Sequence, residues 1–303
     1  MSDHGAAPTG PPVLHVFGCG RAARVIARWL REANQVTIGQ VVNRSIESAR
    51  RAVDFIGEGR AAAAMDPAPG WLLLGLPDQA LLGPNPMLQA RHGSMPAALP
   101  ELVFHLSGSL GSAVLKAFEA PAASLHPVRA FASPETALKA MPGTPCVAEG
   151  DRPALDRLRP AVVAAGGDWL ELGQADKARY HAATVVASNG LVALTHLARG
   201  LARSAGLPPE QVARLLAHLQ RGTLDNLSMG TSADALTGPV ERADAIAMER
   251  LLRAVDASGE DRPGLFRALG RATLALAVQK RGARHEDEAM AALFADDATN
   301  RSD

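Results

Sequence analysis

Short apolar runs alternate with segments of helical spacing over residues 13–174. Runs rich in strand-forming residues stand at 13–17, 36–42, 71–76, 102–106, 122–125, 146–149 and 169–172. The run at 71–76 is continuous, which is typical of a strand that is buried on both faces of a sheet. Strands that alternate with helices imply crossover connections. The pattern therefore predicts an α/β fold with a doubly wound parallel sheet.

The pattern changes after Gly173. From Asp176 onwards apolar residues recur almost entirely at helical intervals, with breaks near residues 206–209, 237–239 and 263–264. We therefore predict four segments: a flexible tail at 1–12, an α/β domain at 13–174, an all-helical domain at 175–290 and a frayed C-terminus at 291–303.

Composition narrows the class of protein. Apolar residues make up 47% of the chain, and 31 lysines and arginines balance 31 aspartates and glutamates. A globular core is therefore expected, and no basic excess points to nucleic acid or to an anionic membrane. With no secretory signal and no apolar run long enough for a bilayer, we expect a cytoplasmic protein that binds a small molecule. Neither Cys19 and Cys146 nor the histidines have the spacing of a metal site.

A glycine-rich turn follows the first strand at once. Its spacing is G-x-G-x-x-A, and it stands between a strand and a helix. The first glycine permits a tight turn, the second lets the backbone approach a pyrophosphate, and the third small residue lets helix and strand pack closely. This context is typical of a Rossmann domain, and the dinucleotide-binding residues that it predicts are Gly18, Cys19, Gly20, Arg21, Ala22 and Ala23. The alternative is a tight turn that has lost its ligand.

The end of the second strand indicates which dinucleotide is bound. It carries Asn43, Arg44 and Ser45, whereas NAD-binding sites usually carry a carboxylate there for the ribose 2′-hydroxyl. An arginine fork and a hydroxyl suit a 2′-phosphate, which a carboxylate would repel. We therefore predict NADP(H), held by these three residues, with Leu76 and Pro77 beside it at the end of a neighbouring strand. The alternative is that Arg44 is an ordinary solvated arginine.

A line of polar residues runs along the first helix of the second domain. Beyond residue 180 this segment is otherwise apolar nearly all round, which predicts a buried helix, and the polar positions on one face are Lys177, His181, Thr184, Ser188 and Thr195. Buried polar groups need partners, so the line faces either a ligand or another protein surface. Lys177 stands in the first turn, where the helix dipole and burial both disfavour its ammonium form. It is therefore a candidate proton donor.

Two further candidates close strands of the first domain. His126, followed by Pro127, ends the strand at 122–125, and Ser107 follows the strand at 102–106. Doubly wound sheets bind ligands at these carboxyl ends of strands. We predict His126 as a catalytic residue and Ser107 as a substrate-binding residue; the alternatives are a structural histidine and an ordinary turn.

Six motifs, in the same order along the chain, carry a resemblance to a known family. They are Gly18-x-Gly20-x-x-Ala23, Ser107-Gly108-Ser109, Ser124-Leu125-His126-Pro127, Lys177-x-x-Tyr180-His181-Ala182, Ala187-Ser188-Asn189 and Leu236-Thr237-Gly238-Pro239. Over most of its length the chain resembles bacterial proteins that join a Rossmann-like domain to a helical domain of unknown function, number 2520. Their architecture is similar to that of pyrroline-5-carboxylate reductase, prephenate dehydrogenase, ketopantoate reductase and the β-hydroxyacid dehydrogenases.

The resemblance implies a helical domain that forms a homodimer and lends its first long helix to the active site. In the β-hydroxyacid dehydrogenases that helix carries a Lys-x-x-x-Asn pattern, in which the lysine acts on the substrate oxygen. Lys177 matches this lysine, whereas His181 stands where the asparagine would fall. We therefore leave the substrate open and expect His181, Ser188 and Asn189 to bind its polar groups.

Two functions are compatible with these residues. The first is an NADP(H)-dependent oxidoreductase that transfers hydride to or from a small keto, hydroxy or imino acid. The second is a non-catalytic sensor of a dinucleotide or metabolite on the same scaffold. A deazaflavin is the less favoured alternative to NADP(H), since related folds use one.

Overall fold

Two compact units make up the chain. The computed structural model describes residues 10–66, 68–83, 100–173, 176–258 and 263–295. The division between the units falls at Val185/Val186, whereas the sequence predicts a boundary near residue 174. The later division has a physical reason, because the helix at 177–185 is hydrogen-bonded to the sheet of the first unit.

An eight-stranded sheet forms the centre of the first unit. Its strands are β1 (Val13–Phe17), β2 (Thr37–Val42), β3 (Arg60–Ala62), β4 (Trp71–Leu74), β5 (Leu102–His105), β6 (Ala122–Pro127), β7 (Pro145–Gly150) and β8 (Asp168–Glu171). They lie in the order β3-β2-β1-β4-β5-β6-β7-β8, and all neighbours are parallel except β6 and β7. The predicted doubly wound α/β fold is confirmed, although the sheet is mixed at β7.

Helices connect the strands of the first unit. They are α1 (Arg21–Glu32), α2 (Ile46–Ile56), α3 (Asp78–Leu82), α4 (Pro134–Lys139), α5 (Arg152–Ala164) and α6 (Lys177–Val185), with a 3₁₀ helix at Ser112–Phe118. Ser45 and Ser133 cap α2 and α4 by accepting hydrogen bonds from first-turn amides. Leu14 of β1 and Ile26 of α1 are fully buried in the same core. This packing fixes the end of β1 and the start of α1 on either side of the glycine turn.

The second unit is helical throughout its regular elements in the residues described. A π-helical turn (Val186–Gly190) leads into α7 (Leu191–Ser204), α8 (Pro209–Met229), α9 (Ser232–Ala235), α10 (Ala245–Asp256), α11 (Pro263–Arg281) and α12 (Glu286–Leu293). The buried core includes Met248, Met290 and Phe294, and a Cβ on Gly270 would lie 2.3 Å from the Phe294 ring. Leu293 and Phe294, which the sequence assigns to a frayed C-terminus, are therefore packed. Residues 296–303 of that segment and residues 1–9 of the predicted tail lie outside the described residues.

A buried ion pair joins the end of α11 to the start of α12. The guanidinium of Arg281 donates to both carboxylate oxygens of Asp287, at 3.0 and 2.6 Å, and the amide of Arg284 donates at 2.8 Å. The bonds from Arg281, helped by the Arg284 amide, lower the pKa of Asp287 to about 2 although burial opposes the shift.

The segment that links the two units exposes most of its apolar side chains. Val186 and Val192 are 72% and 69% exposed, and every residue from 185 to 189 is exposed. The prediction that this segment is a buried helix is therefore wrong for the single chain at residues 185–189 and at Val192, which no described part of the chain covers. No described helix is long and apolar enough to cross a membrane.

Candidate functional site

The glycine turn is closed on one side and open on the other. Gly18 has a φ of +82°, a conformation that favours glycine, and a Cβ on Gly75 would lie 2.1 Å from the Gly18 carbonyl oxygen. Gly20, in contrast, has no atom within 4 Å of the position of a Cβ. The turn therefore packs tightly against the end of β4 and leaves room at Gly20 for a ligand to approach the backbone.

Asn43 organises this turn from the end of β2. Its Oδ1 accepts a hydrogen bond from the amide of Cys19 at 2.7 Å, and its Nδ2 donates to the carbonyl oxygen of Ser48 at 3.2 Å. Ser45 caps α2. Of the three residues predicted to hold a 2′-phosphate, Asn43 and Ser45 thus bond to the protein backbone. Arg44 is exposed, and no described residue bonds its guanidinium.

A cleft of about 570 Å³ opens beside the turn. It is lined by Gly20, Arg21, Ala22, Ala23, Gly75, Leu76, Pro77, Asp78, Leu106, Ser107, Phe131 and Ala132. The amides in the first turn of α1 have no carbonyl partner within the helix, so they can bind an anion at this cleft. Six predicted cofactor residues line it, whereas the other five do not: Gly18, Cys19, Asn43, Arg44 and Ser45. Burial raises the pKa of the Cys19 thiol to about 12, so this cysteine is not a nucleophile at neutral pH.

Serine hydroxyls fix the loop that follows β5. The Oγ of Ser107 accepts hydrogen bonds from the amides of Ser109 and Leu110 at 3.2 and 3.0 Å, and the Ser109 hydroxyl donates to the carboxylate of Asp78. His105 accepts from the Ser107 amide at 3.1 Å, and burial lowers the pKa of its ring to about 4. Ser107 therefore lies at the cleft, as predicted, with its hydroxyl already bonded to its own loop.

Lys177 reaches from the first turn of α6 into the sheet. Its Nζ donates to Oγ of Ser124 at 2.5 Å and to the carbonyl oxygen of Ser107 at 3.2 Å, and the residue is only 5% exposed. Burial lowers the pKa of the ammonium to about 8, whereas the carboxylates of Glu149 and Asp78 act in the opposite direction. The direction of this shift is the one that the sequence predicts. Described acceptors bind two of its three N–H groups.

A second side-chain bond joins β6 to α6. The Nδ1 of His126 lies 2.8 Å from the hydroxyl of Tyr180. Burial, with Lys177 and His181 nearby, lowers the pKa of His126 to about 4, and burial raises the pKa of Tyr180. Both side chains are therefore neutral at pH 7.

The ring of His181 lies on the loop after β5. A Cβ on Gly108 would come within 2.2 Å of the His181 Nδ1, which leaves no room for a side chain at this loop position. The same Nδ1 is 3.1 Å from the hydroxyl of Thr184. The ring centroids of His181 and His126 are 5.4 Å apart, and the rings are nearly perpendicular.

Four predicted site residues thus lie together at the carboxyl ends of β5 and β6. They are Ser107, His126, Lys177 and His181. The other two, Ser188 and Asn189, belong to the π-helical turn of the second unit and are exposed.

Sequence reasoning missed two members of this cluster. Ser124 stands two residues before His126 on β6, and Tyr180 stands three residues after Lys177 on α6, so each pair shares a face of its element. That spacing was a usable signal, because Ser124 bonds Lys177 and Tyr180 bonds His126.

Comparison with known proteins supports the resemblance found in the sequence. Residues 144–273 match a family model described as "Domain of unknown function (DUF2520)". The predicted resemblance is therefore confirmed for the part of the chain that runs from the start of β7 into α11. No curated protein matches the sequence.

Solved structures share the fold over most of the chain. The protein TM1727 from Thermotoga maritima is 26% identical, with a TM-score of 0.67, and the match covers 89% of this chain and 99% of that one. BF3122 from Bacteroides fragilis, provisionally named an NADP oxidoreductase, is 20% identical with a TM-score of 0.69 over 88% and 98% of the two chains. An imine reductase from Aspergillus terreus, in complex with NADPH4 and dibenz[c,e]azepine, is 19% identical with a TM-score of 0.56 over 93% and 99%. The α/β unit followed by a helical unit is thus a known architecture.

Proposed function

We propose that the protein is an NADP(H)-dependent oxidoreductase that transfers hydride between the nicotinamide and a small keto, hydroxy or imino acid. One observation carries the proposal: Ser107 lines the dinucleotide cleft and its carbonyl oxygen accepts a hydrogen bond from the buried Lys177. A lysine whose pKa is lowered to about 8 is thereby placed next to the cleft, at the strand ends where doubly wound sheets bind ligands.

The residues around the glycine turn fit a dinucleotide phosphate. The space at Gly20 admits a pyrophosphate to the backbone, and the first-turn amides of α1 are donors for it. Arg44 is exposed at the end of β2 and would hold a 2′-phosphate through its guanidinium fork. No described carboxylate stands at positions 43–45 to repel that phosphate.

NADPH, when bound, supplies the hydride. Lys177 keeps its ammonium on Ser124 and Ser107 through two N–H groups, and we propose that its third N–H polarises or protonates the substrate oxygen or nitrogen. Its pKa of about 8 makes the ammonium a better acid near neutrality than an ordinary lysine. His181 is proposed to bind a polar group of the substrate, and the roles of Ser188 and Asn189 stay predictions from the sequence.

The known architectures support this proposal by analogy of fold alone. A reductive aminase from Aspergillus terreus in complex with NADPH and ethyl levulinate shares the fold with a TM-score of 0.62 and 20% identity. The imine reductase described above gives the same indication. Both are consistent with chemistry at a C=N or C=O group.

Nucleotide titration followed by NADPH fluorescence tests the cofactor. We expect Arg44→Ala to weaken NADPH binding about tenfold, or ~1.4 kcal/mol, and to leave NADH binding unchanged. The matched control is Arg50→Ala, which removes an exposed arginine from α2, the helix that follows Arg44. Equal loss for both nucleotides would reject a 2′-phosphate site, and tight binding of a deazaflavin with no binding of NADPH would reject this cofactor.

Turnover separates the enzyme from the sensor. A panel of 2-keto acids and cyclic imines is assayed with NADPH, using the wild type and Lys177→Met. The proposal predicts turnover of at least one substrate and a loss of about 100-fold in kcat in the variant. Tight NADPH binding without exchange of the nicotinamide hydride would favour the non-catalytic sensor instead.

We also propose that the helical unit forms a homodimer. Every residue of α8 from 221 to 229 is exposed, and its apolar side chains include Leu219 and Met229, which are 62% and 89% exposed. Several exposed apolar side chains along one long helix indicate a protein interface. Sedimentation analysis should give a dimer for the wild type and for the polar control Gln211→Glu, and a monomer for Leu219→Glu. A wild-type monomer at micromolar concentration would refute the dimer.

A further inference from the structure

We propose that Tyr180 is a positioning residue that fixes His126 in its Nε2–H tautomer, so that the uncharged imidazole donates this N–H to a carbonyl, carboxylate or imine acceptor of the substrate. The inference deepens the proposed function and rests on it for the identity of the acceptor. The imidazole of His126 would donate this hydrogen bond while it stays neutral, and the neighbouring Lys177 would carry the positive charge.

Two parallel bonds aim the His126 ring. Ser124 and His126 point to the same face of β6, and Lys177 and Tyr180 lie on the same face of α6. The inner bond, from Lys177 to Ser124, is buried. The outer bond, between Tyr180 and Nδ1 of His126 at 2.8 Å, joins two partly exposed side chains. The inner bond holds the helix on the strand, and the outer bond therefore sets the ring orientation.

We assign the Tyr180 hydroxyl as the donor of the outer bond. Among the described residues, the Tyr180 hydroxyl has His126 as its hydrogen-bond partner and no second acceptor. Donation to Nδ1 gives the phenol proton an acceptor within the protein, and a neutral imidazole that accepts at Nδ1 carries its proton on Nε2. Burial and the neighbouring Lys177 and His181 keep the pKa of His126 at about 4, which agrees with a neutral ring.

The Nε2 atom is left for a ligand. No described residue hydrogen-bonds it, and the one fully buried side-chain nitrogen or oxygen without a partner in the described chain is Nε of Arg31. The His126 Nε2 therefore reaches solvent. Its ring stands 5.4 Å from that of His181. The His181 ring lies on the loop after β5, and Ser107 of that loop lines the cleft.

A neutral donor suits this position for an electrostatic reason. An imidazolium next to the Lys177 ammonium would repel it, and the lowered pKa values of both groups reflect their shared burial. An uncharged N–H polarises a substrate acceptor without displacing the charge of Lys177. Neutral imidazoles are known to act as electrophiles in this way in other enzymes.

Side-chain ¹⁵N NMR of the full-length protein at pH 7 tests the tautomer without reference to activity. His126→Gln identifies the resonance among the nine histidines. We expect the wild type to show Nε2–H with an acceptor-type Nδ1, and Tyr180→Phe to shift the population towards Nδ1–H. Wild-type protein with Nδ1–H, or an unchanged tautomer in Tyr180→Phe, would overturn the inference. Since Tyr180 is the single tyrosine, ¹³Cζ-tyrosine labelling reports its protonation directly, and a phenolate at pH 7 would also overturn it.

Kinetics provides the second readout. The side-chain amide of glutamine can place an N–H near the position of Nε2, whereas that of asparagine cannot reach it. We expect His126→Gln to keep at least ten times the kcat/KM of His126→Asn, with the NADPH dissociation constant unchanged in both. Equal loss in the two variants would reject the Nε2–H donor. If the wild type does not bind NADPH, the proposed function is rejected. The NMR result on the tautomer is independent of that outcome.

Discussion

The α-carbon of Gly108 lies against the imidazole of His181, and the space between them is too small for a methyl group. A Cβ on Gly108 would be 2.2 Å from Nδ1, 2.7 Å from Cε1 and 3.0 Å from Cγ of that ring. The whole ring, and not only its tip, would therefore have to move. The loop after β5 and the helix α6 are thus matched to each other at this position.

Gly108→Ala should consequently destabilise the protein by about 1–3 kcal/mol through overpacking. Thermal unfolding measures the loss, and Gly173→Ala is the control, since a Cβ there meets no atom within 4 Å. If the two variants melt together, the contact is not part of the stable core. A His181→Ala, Gly108→Ala double variant should recover most of the loss, because the clash is removed.

The two glycines that face opposite sides of the turn should separate binding from folding. Gly75→Ala places a methyl group 2.1 Å from the Gly18 carbonyl oxygen and should lower the melting temperature clearly. Gly20→Ala meets no protein atom within 4 Å, so it should keep the melting temperature and raise the NADPH dissociation constant about tenfold, ~1.4 kcal/mol. Unchanged affinity in Gly20→Ala would show that the nucleotide does not approach the turn there.

Lys177 should make stability rise with pH in the alkaline range. Its pKa is lowered from 10.5 to about 8 in the folded chain, so between these values the unfolded chain binds one more proton. Stability therefore increases with pH across this window, by up to about 1.4 kcal/mol per pH unit. Urea unfolding measured from about pH 7.5 to about pH 10 should show this slope in the wild type.

The same experiment on two variants isolates the lysine. Lys177→Met should lose the slope, whereas Lys139→Met, which alters an exposed lysine, should keep it. A slope that persists in Lys177→Met would assign the effect to other groups.

Asp287 should govern the acid stability of the helical unit. Its pKa is held at about 2 by Arg281, below that of an unfolded aspartate, so its stabilising effect is complete at neutral pH. That effect is lost as the pH falls from about 4 to about 2. Asp287→Asn should flatten this loss and cost about 3 kcal/mol at pH 7, because Arg281 is left buried without its partner.

Circular dichroism during acid titration provides the measurement. Glu288→Gln changes an exposed carboxylate one residue further along α12 and should titrate like the wild type. An Asp287→Asn curve that coincides with the wild type would remove the ion pair from the acid response.

The strands, the glycine turn and the helical second half follow from local pattern, because period and spacing are local properties. The local pattern did not predict β3. Its three residues pair with β2 at the edge of the sheet, and none of them is a strong strand former. The antiparallel β7 was also hidden, since an apolar run has no direction. Lys177 and His126 were proposed from their chemistry and their positions at element ends, and their side chains lie in one cluster.

The partners of those two residues illustrate what a linear reading leaves out. Ser124 shares a strand face with His126, and Tyr180 shares a helix face with Lys177, which is a local signal. The pairing of partners that are 53 and 54 positions apart has no such signal, because it depends on how β6 and α6 meet. Asn43 is predicted to bind the nucleotide, and its bond to the Cys19 amide of the turn likewise had no local signal. The wrong prediction of a buried helix also has a physical reason. Apolar residues indicate that a surface is buried, but they do not indicate whether the same chain or another molecule buries it.

Asn43 also has a kinetic meaning. Its side chain accepts a hydrogen bond from the Cys19 amide at 2.7 Å. The turn is therefore held in its conformation by the protein itself, before any ligand binds. Freezing a flexible residue costs about 1–2 kcal/mol of conformational entropy, and that loss is already complete before any encounter in solution. Nucleotides should therefore enter and leave a rigid rim, so their exchange is limited by diffusion and by bond breakage and not by rearrangement of the loop.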